Sequence, residues 1–358
     1  MPDQDIIVDR RGSAGLVTLN RPAALNAVNL PMVRALRDAL MRWRDDDGVT
    51  RVVVTAAGGK AFSAGGDLRA IWEAGRDGRH EESLGFWREE YALNAVIRGY
   101  PKPYVALIDG IVMGGGVGVS VHGSHRVAGD RFDFAMPEVG IGFFPDVGAT
   151  WFLPRLAGET GTYCALTGAR LKADDALAVG IATHRIPSAR FAELAQALCR
   201  SDPVDAVLAQ FAASGKDAPP FPGGGAVVAW RAAIDSIFAL TSIEDILAGL
   251  DAAAAGTEAE AEWAAATAAT VRAKAPLSLK IALAQMQRGR RASFAECMQS
   301  EFRIVSRVVC GHDFYEGIRA VIIDKDNRPH WHPAHLAEVT GDTVDAHFLP
   351  VQRELELP

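Results

Sequence analysis

The chain has 358 residues, 49% of them hydrophobic and 23% charged, which is ample for one large domain or a domain with an appendage. The net charge of −7 comes from acidic and basic residues that are mixed along the chain. No basic stripe is present, which disfavours nucleic acid as a partner.

The cysteine pattern and the hydropathy indicate the compartment. Four widely spaced cysteines without a C-x-x-C pair suit a reducing environment and argue against a disulfide framework or a zinc ribbon. The first residues show no secretory signal, and no apolar run approaches the roughly 20 residues that span a bilayer. We therefore expect a cytoplasmic protein with no membrane segment.

Strand and helix patterns alternate along the first half of the chain. Residues 16–19 are typical of a strand, residues 31–43 of an amphipathic helix, and residues 52–55 of a buried strand. The glycine loop 58–67 follows, and helical sequence begins at Leu68.

The same order occurs again further along. A strand at residues 104–108 leads into the glycine run 114–116 and then into another predicted helix. Strand, glycine loop and helix thus occur twice, which predicts an α/β fold with helical crossovers.

After about residue 190 the sequence becomes Ala-rich and helical. Three segments predict helices: residues 191–198, 243–255 and 258–273. The Pro- and Gly-rich stretch 217–225 predicts a linker or loop. We therefore predict an α/β core at residues 1–190 and a mainly helical C-terminal extension at residues 191–358. The Ala-rich helices are candidates for self-association into a homo-oligomer, or are plain core.

Two carboxylates, Glu138 and Asp146, stand in an otherwise apolar run that Pro and Gly stiffen, residues 136–148. Burying a carboxylate among Phe, Val and Ile is costly unless the group is paired, hydrogen-bonded or protonated. Two in one such run therefore indicate chemistry. The alternative is that each one caps a helix or pairs with an arginine such as Arg126 or Arg155.

The run Gly114-Gly115-Gly116 can supply the other part of an acyl-transfer site. Glycine lets the backbone approach a ligand closely, and N–H groups aimed at a developing oxyanion lower the barrier to thioester hydrolysis. If the run opens a helix, free N–H groups and the positive dipole end converge there, with Gly65-Gly66 as the opposing donor from the first glycine loop. The alternative is two tight turns without a ligand. A nucleotide site is disfavoured because neither glycine signature for phosphate is complete.

His330, His332 and His335 are candidate metal ligands. Two prolines make their segment irregular, and no Cys or carboxylate completes a known ligand spacing. A surface turn is the better interpretation.

The chain also resembles the crotonase (enoyl-CoA hydratase/isomerase) superfamily. Three segments carry this resemblance: residues 61–68, 102–110 and 114–116. Five more are closer to the superfamily's 3-hydroxyisobutyryl-CoA hydrolase branch: residues 88–91, 113–118, 136–148, 152–156 and 311–326. The similarity covers nearly the whole chain and is weakest around residues 200–270.

The resemblance implies a spiral of ββα units with a CoA thioester bound across the glycine loops. It implies that Gly66 and Gly115 form the oxyanion hole and that Glu138 and Asp146 are catalytic. It further implies substrate contacts at four residues: Glu90, Ala64, Asp67 and Leu68. For Glu90 the alternative is an ordinary solvated helix face.

The same carboxylates suggest a mechanism. Glu138 is either a general base for water or a nucleophile that forms a mixed anhydride with the acyl group. Asp146 holds the substrate hydroxyl or orients Glu138, and its charge raises the pKa of that glutamate.

One departure from the hydratases decides between activities. Hydratases use two glutamates, and where the first one would stand this sequence has Gly118. The resemblance thus implies hydrolysis of a 3-hydroxyacyl-CoA, most specifically 3-hydroxyisobutyryl-CoA in valine breakdown. No metal or redox cofactor is implied, because CoA belongs to the substrate. The alternatives are an enoyl-CoA hydratase or isomerase, and a non-catalytic acyl-CoA-binding protein.

Overall fold

The computed structural model describes residues 4–212, 225–256 and 258–358. In these residues the strands are β1 (Ile6–Arg11), β2 (Ala14–Leu19), β3 (Arg51–Ala56), β4 (Ala61–Ser63), β5 (Tyr104–Ile108), β6 (Ile111–Met113), β7 (His125–Ala128), β8 (Asp133–Ala135) and β9 (His184–Arg185). The helices up to β9 are α1 (Leu30–Arg44), α2 (Leu68–Arg76), α3 (His80–Arg98), α4 (Gly115–Gly118), α5 (Ala149–Phe152), α6 (Thr160–Thr167) and α7 (Ala173–Val179). The later helices are α8 (Phe191–Ala197), α9 (Val204–Phe211), α10 (Ala226–Ala229), α11 (Arg231–Ile237), α12 (Ile243–Ala253), α13 (Glu258–Arg272), α14 (Pro276–Gly289), α15 (Phe294–Val308), α16 (His312–Ile318) and α17 (Gly341–Ala346).

The strands form two sheets. The larger has the order β1-β2-β3-β5-β7-β9 and is parallel except for the β1–β2 hairpin. The smaller is parallel, in the order β4-β6-β8. Each successive strand pair, β3/β4, β5/β6 and β7/β8, therefore places one strand in each sheet. This repeated arrangement confirms the predicted α/β spiral.

The larger sheet is covered on both faces. One face joins the main core with α1 and α3, and the other packs under α8 and α9 through Leu194, Leu208 and Phe211. Strands buried on both faces have continuous apolar sequences, as in Val52-Val53-Val54, and therefore lack the alternation of a half-exposed strand.

Two details differ from the sequence prediction. A three-residue strand accompanies each glycine loop: β4 lies inside the first loop, and β6 directly precedes the second. Runs this short carry no measurable periodicity, so they were missed. The helix predicted after the glycine run is a single turn of four residues, and it already begins inside the run, at Gly115.

The C-terminal helices pack around the segment that carries Glu138 and Asp146. Helix α14 contacts α5 and α6, α15 contacts α3 and α5, and α16 contacts α2 and the 3-10 turn Glu138–Ile141. The division at residue 190 stays a prediction, as does self-association, although α13 buries Ala264 and Ala268 inside the chain. The predicted loop 217–225 lies outside the described residues except for Gly225. In the part of the chain that the structure describes, no helix is long and apolar enough to cross a membrane.

Candidate active site

The two glycine loops meet backbone to backbone. A Cβ added to Gly114 would lie 3.3 Å from the Cα of Gly65, and one added to Gly115 would lie 3.4 Å from the nitrogen of Gly66. Gly65 and Gly114 have φ of 121° and 44°, a region that disfavours other residues. A bridge between Val28 and Gly66 fixes the first loop. The structure thus brings both predicted donors together.

The N–H groups of Gly66 and Gly115 remain available. Among the described residues, neither group donates a hydrogen bond to a protein acceptor. Because α4 is one turn, the helix dipole expected from the sequence is small here. The two free N–H groups, more than a helix dipole, are therefore what this part of the cavity can offer to a ligand oxygen.

Glu138 begins a 3-10 turn that ends at Ile141. Gly142 follows with φ of 67°, and a Cβ there would lie 2.0 Å from the carbonyl oxygen of Asp313, so only glycine fits. The Glu138 side chain is buried, and its Oε2 has no hydrogen-bond partner among the described residues. Burial raises the pKa of Glu138 well above its usual range, and the neighbouring Asp146 charge raises it further.

Asp146 is presented by a strained turn. The next residue, Val147, has φ of 51°, which is rare for a β-branched side chain. The Tyr91 hydroxyl on α3 donates a 2.9 Å hydrogen bond to Asp146 Oδ2. Burial raises the pKa of Asp146 to about 7, and the Tyr91 hydrogen bond opposes this rise.

Glu90 also lies in the interior. Its side chain on α3 is 2% exposed and Oε1 has no partner in the described part of the chain, so the alternative of a solvated helix face is wrong. Burial first, then the charges of Asp146 and Glu301, raise the pKa of Glu90 well above its usual value. The site therefore contains a third buried carboxyl with an oxygen free for a ligand.

A cavity of about 70 Å³ joins these groups. Phe86, Trp87 and Phe143 form apolar walls, with Trp87 and Phe143 stacked at 5.6 Å between ring centroids. Seven of the eight predicted site residues line it: Ala64, Gly66, Leu68, Glu90, Gly115, Glu138 and Asp146.

Asp67 is the exception. Its Oδ2 accepts a 3.0 Å hydrogen bond from Arg21, and its Oδ1 accepts one from the N–H of Ala70 at the start of α2. The carboxylate is thus occupied in holding the glycine loop and capping a helix. A contact between Asp67 and substrate stays a prediction.

The proposed arginine partners are wrong. Arg126 donates to the carbonyl groups of Gly123, Gly180 and Ile181, and Arg155 donates to other backbone carbonyls. Both line a separate cavity of about 440 Å³ that contains none of the predicted site residues. Glu138 and Asp146 therefore lie in the interior without a cationic partner in the described residues.

The sequence resemblance implies that Gly118 stands where a hydratase has its first glutamate. A Cβ at this position would lie 2.8 Å from Asn94 Nδ2 and 2.9 Å from the Cβ of Val147. A larger side chain does not fit without movement of the Asp146 turn. The absence of that glutamate is thus built into the packing.

Two residues of the site were missed from the sequence. Tyr91 lies within residues 88–91, but no role was predicted for it. Glu301 on α15 was not predicted as a site residue. Glu301 is fully buried and accepts hydrogen bonds from the N–H groups of Gly148 and Thr150 at 2.7 and 2.9 Å. A signal existed, because Glu301 shares a helical face with Cys297, Met298 and Val305, and a charge on an apolar face needs a partner.

No group of three or more His, Cys, Asp or Glu side chains in residues 4–212, 225–256 and 258–358 is arranged to hold a metal ion.

His122, which follows α4, is buried, and burial lowers its pKa to about 4. Its Nε2 donates to the carbonyl of Val147 at 2.7 Å, so it supports the Asp146 turn as a neutral ring.

Comparison with known proteins decides the family. The family model described as Enoyl-CoA hydratase/isomerase matches residues 14–348. The chain belongs to the enoyl-CoA hydratase/isomerase (crotonase) family.

Relatives within this family are similar over nearly their whole length. The chain is 43% identical to the zebrafish (Danio rerio) protein named 3-hydroxyisobutyryl-CoA hydrolase, mitochondrial, over 99% of this chain and 92% of the relative. The human protein of the same name is 40% identical over 96% of this chain and 88% of its own.

Two solved crotonase structures also share the fold. A carnitinyl-CoA dehydratase from Mycobacterium thermoresistibile has a TM-score of 0.90 and 40% identity, covering 99% of this chain and 98% of its own. An enoyl-CoA hydratase from Rhodobacter sphaeroides has a TM-score of 0.87 and 36% identity, covering 99% and 100%. The sequence resemblance to the crotonase family is therefore confirmed.

The expected cytoplasmic localisation is wrong, because these curated relatives are named as mitochondrial enzymes. The expectation rested on free cysteines and on the lack of a secretory signal. Free cysteines indicate reducing conditions and do not distinguish one reducing compartment from another.

Proposed function

We propose that this crotonase hydrolyses a short 3-hydroxyacyl-CoA, specifically 3-hydroxyisobutyryl-CoA, to the free acid and CoA. One observation carries the proposal. Two buried carboxyls, Glu138 and Glu90, line the same cavity as Gly66 and Gly115. Within the described residues each carboxyl has an oxygen without a hydrogen-bond partner, and the N–H groups of both glycines are free. The names of the curated relatives support the substrate.

In the proposed reaction the thioester carbonyl oxygen accepts hydrogen bonds from Gly66 and Gly115. Two such donors in a water-poor cavity stabilise the negative charge of the tetrahedral intermediate. Both N–H groups belong to backbone that the opposing loop holds in place, so little reorganisation accompanies the reaction. The oxyanion hole is thus assigned to these two glycines.

Glu138 supplies the attack by one of two routes. As a base it takes a proton from water, whose oxygen attacks the acyl carbon to give the tetrahedral intermediate. The C–S bond then breaks, and Glu138 passes the proton to the sulfur, so that CoA leaves as the thiol. As a nucleophile its carboxylate attacks the acyl carbon, the C–S bond breaks and CoA leaves as the thiolate, and water then hydrolyses the mixed anhydride to the free acid. Its raised pKa, caused by burial and the nearby Asp146, makes it a stronger proton acceptor than an exposed glutamate.

The substrate hydroxyl is assigned to Asp146 and Glu90. A 3-hydroxyl group donates to one carboxylate while the cavity's aromatic walls hold the short carbon chain. The volume of about 70 Å³ suits a short acyl group better than a long one. Asp146 forms no hydrogen bond with Glu138 in the described structure, so it acts on the substrate and through its charge.

The proposal requires no metal or redox cofactor, since carboxyl groups and backbone N–H groups supply the chemistry. It places the reaction in valine breakdown, the pathway that the sequence resemblance implies.

The test measures thiol release from a panel of acyl-CoAs by the wild type, Glu138→Gln and Asp146→Asn. We expect release to be fastest with 3-hydroxyisobutyryl-CoA and to fall by a factor on the order of 1,000 in Glu138→Gln, which still binds CoA thioesters. Glu89→Gln is the matched control, because Glu89 is the neighbour of Glu90 on α3 and pairs with Arg34 outside the cavity. Retained thiol release in Glu138→Gln contradicts the mechanism, and equal rates for simple acyl chains contradict the substrate.

Hydration of an enoyl-CoA is the second candidate, because the two similar crotonase structures above are named as a dehydratase and a hydratase. The crowded position of Gly118 opposes it. A change in enoyl-thioester absorbance without free thiol would favour hydration. Binding of acyl-CoA without either reaction would favour a non-catalytic protein.

A further inference from the structure

The turn that carries Asp146 has an unfavourable backbone conformation in a buried place. Val147 is fully buried with φ of 51°, and the N–H of Ala149 closes the turn on the carbonyl of Asp146 at 2.9 Å. A β-branched residue keeps such a φ only when its surroundings hold it there. Three side chains hold this turn: Glu301, His122 and Gln285.

Glu301 binds the backbone directly after Asp146. Its Oε2 accepts from the N–H of Gly148 and its Oε1 accepts from the N–H of Thr150. These two N–H groups lie at the start of α5. Both carboxylate oxygens of Glu301 therefore accept hydrogen bonds that fix this short segment. The side chain does not line the cavity itself.

Two neutral groups hold the other atoms of the turn. His122 donates to the carbonyl of Val147, and Gln285 on α14 donates to the carbonyl of Pro145 at 3.0 Å and to Thr150 Oγ1 at 2.8 Å. Hydrogen bonds therefore hold the turn from several sides. Within this set Glu301 is the group that can carry a negative charge, although burial and then the charge of Asp146 raise its pKa to about 8.

The charge of Glu301 also reaches the cavity. Five titratable groups are influenced by Glu301 or influence it: Asp146 in the turn, Glu90 and Tyr91 on α3, Glu138 on the 3-10 turn, and Cys297 on α15. No cation forms an ion pair with Glu301 among the described residues. Its negative charge raises the pKa of Glu138, after the larger effects of burial and Asp146.

We infer that Glu301 is a positioning residue for thioester hydrolysis: by binding the N–H groups of Gly148 and Thr150 it fixes where the Asp146 carboxylate lies in the cavity. The inference rests on the proposed function, in which Asp146 contacts the substrate. Its own effect is to hold the strained turn, so Glu301 touches neither substrate nor the reacting atoms.

Two variants separate geometry from charge. Glu301→Gln keeps the size of the side chain but removes the charge and replaces one accepting oxygen with an amide that cannot accept from a backbone N–H. We expect kcat to fall on the order of 100-fold with little change in KM, because the acyl group still binds but Asp146 is misplaced. The lost charge should affect the pH profile only above about pH 8, where Glu301 is ionised in the wild type: there the pKa of Glu138 is lower in Glu301→Gln than in the wild type.

Glu301→Asp keeps the charge but is too short to reach both N–H groups. We expect kcat to fall as well, while the pH profile above about pH 8 stays at the wild-type position. Glu296→Ala is the control on the same helix, because Glu296 is exposed and closes the capping box with Ser293 away from the turn. It should lower thermal stability yet keep the wild-type kcat and pH profile per folded molecule.

The outcomes are distinct. A soluble Glu301→Gln with wild-type kcat and pH profile overturns the inference. So does the failure of both Glu301 variants to fold while Glu296→Ala folds, since Glu301 then serves folding alone. Lack of thiol release by the wild type instead contradicts the proposed function. In that case a crystal structure of Glu301→Gln tests directly whether Glu301 positions the Asp146 turn. In that structure Val147 should leave φ near 51° and the Asp146 carboxylate should shift.

Discussion

The Tyr91 hydroxyl and Asp146 Oδ2 are joined by a 2.9 Å hydrogen bond in an interior where both side chains are buried. Burial raises the pKa of Asp146 to about 7, and this hydrogen bond opposes the rise because it stabilises the ionised form. The ionisation of Asp146 near neutral pH therefore depends on Tyr91.

Tyr91→Phe should make Asp146 harder to ionise. The pKa of Asp146 then rises above about 7, and kcat/KM at neutral pH should fall about tenfold, with recovery at higher pH. A pH profile of thiol release measures this. Tyr100→Phe is the control, because its hydroxyl bonds the carbonyl of Leu40 outside the cavity. A loss of activity in Tyr91→Phe that is the same at every pH would contradict the prediction.

Gly118→Ala should destabilise the protein. The added methyl group meets Asn94 and the rigid Val147 at under 3 Å, and overpacking of this kind costs about 1–3 kcal/mol of the free energy of unfolding. Gly85→Ala on α3 has nothing within 4 Å of the new Cβ and should be stabilising by up to about 1 kcal/mol through helix propensity. Denaturant unfolding of both variants measures the difference. Equal stability of the two would show that the Asp146 turn yields easily.

Gly115→Ala should impair turnover more than folding. Its methyl group would lie 2.7 Å from Glu90 Oε1 and 3.4 Å from the nitrogen of Gly66, which crowds the space between the two proposed oxyanion donors. We expect kcat to fall about 100-fold or more. Gly341→Ala, where a Cβ meets nothing within 4 Å, should retain full activity. Normal thiol release by Gly115→Ala would remove this glycine from the oxyanion hole.

The buried carboxyls should make stability depend on pH in an unusual direction. The pKa of Asp146 is raised to about 7 and that of Glu301 to about 8, from ordinary values of 3.8 and 4.5. Since the folded state binds these protons more tightly than the unfolded state, the contribution is present below about pH 4 and is lost as the pH rises through 7 and 8.

Asp146→Asn tests this because the amide stays neutral at every pH. Its free energy of unfolding relative to the wild type should increase between about pH 5 and pH 8, by an amount on the order of a few kcal/mol at most. Denaturant unfolding of both proteins at the two pH values gives the difference. A difference that is constant, or that shrinks as the pH rises, would show that Asp146 is already ionised at low pH.

How far the sequence predicts this molecule depends on whether the signal is local. Residues 31–43 form the helix that their periodicity indicated, because several turns fit inside this run. Residues 16–19, 52–55 and 104–108 form the strands that their short apolar runs indicated. Glu138 and Asp146 were recognised because a charge inside an apolar run stands out locally. Strands β4 and β8 were not predicted. Each has only three residues, too few to show a strand periodicity, and each pairs only with a strand that is distant in sequence.

The supporting residues of the site required the tertiary structure. Glu301 and Gly148 are 153 positions apart, and Tyr91 and Asp146 are 55 apart, so no spacing along the chain joins them. Asp67 shows the opposite case. It lies beside the glycines in sequence, yet its carboxylate points to Arg21 and the start of α2.

Helices α14, α15 and α16 contact the segment that carries Glu138 and Asp146. Because these helices are synthesised after that segment, they determine when during synthesis the chain can become catalytically competent. Gln285 and Glu301 hold the Asp146 turn, and α16 lies so close to the Glu138 turn that a Cβ on Gly317 would be 2.2 Å from the carbonyl carbon of Ile141. A nascent chain that has emerged only as far as β9 has its glycine loops and both carboxylates but lacks their supports. Such a chain can begin to fold on the ribosome, yet it becomes an enzyme only after its last helices have docked.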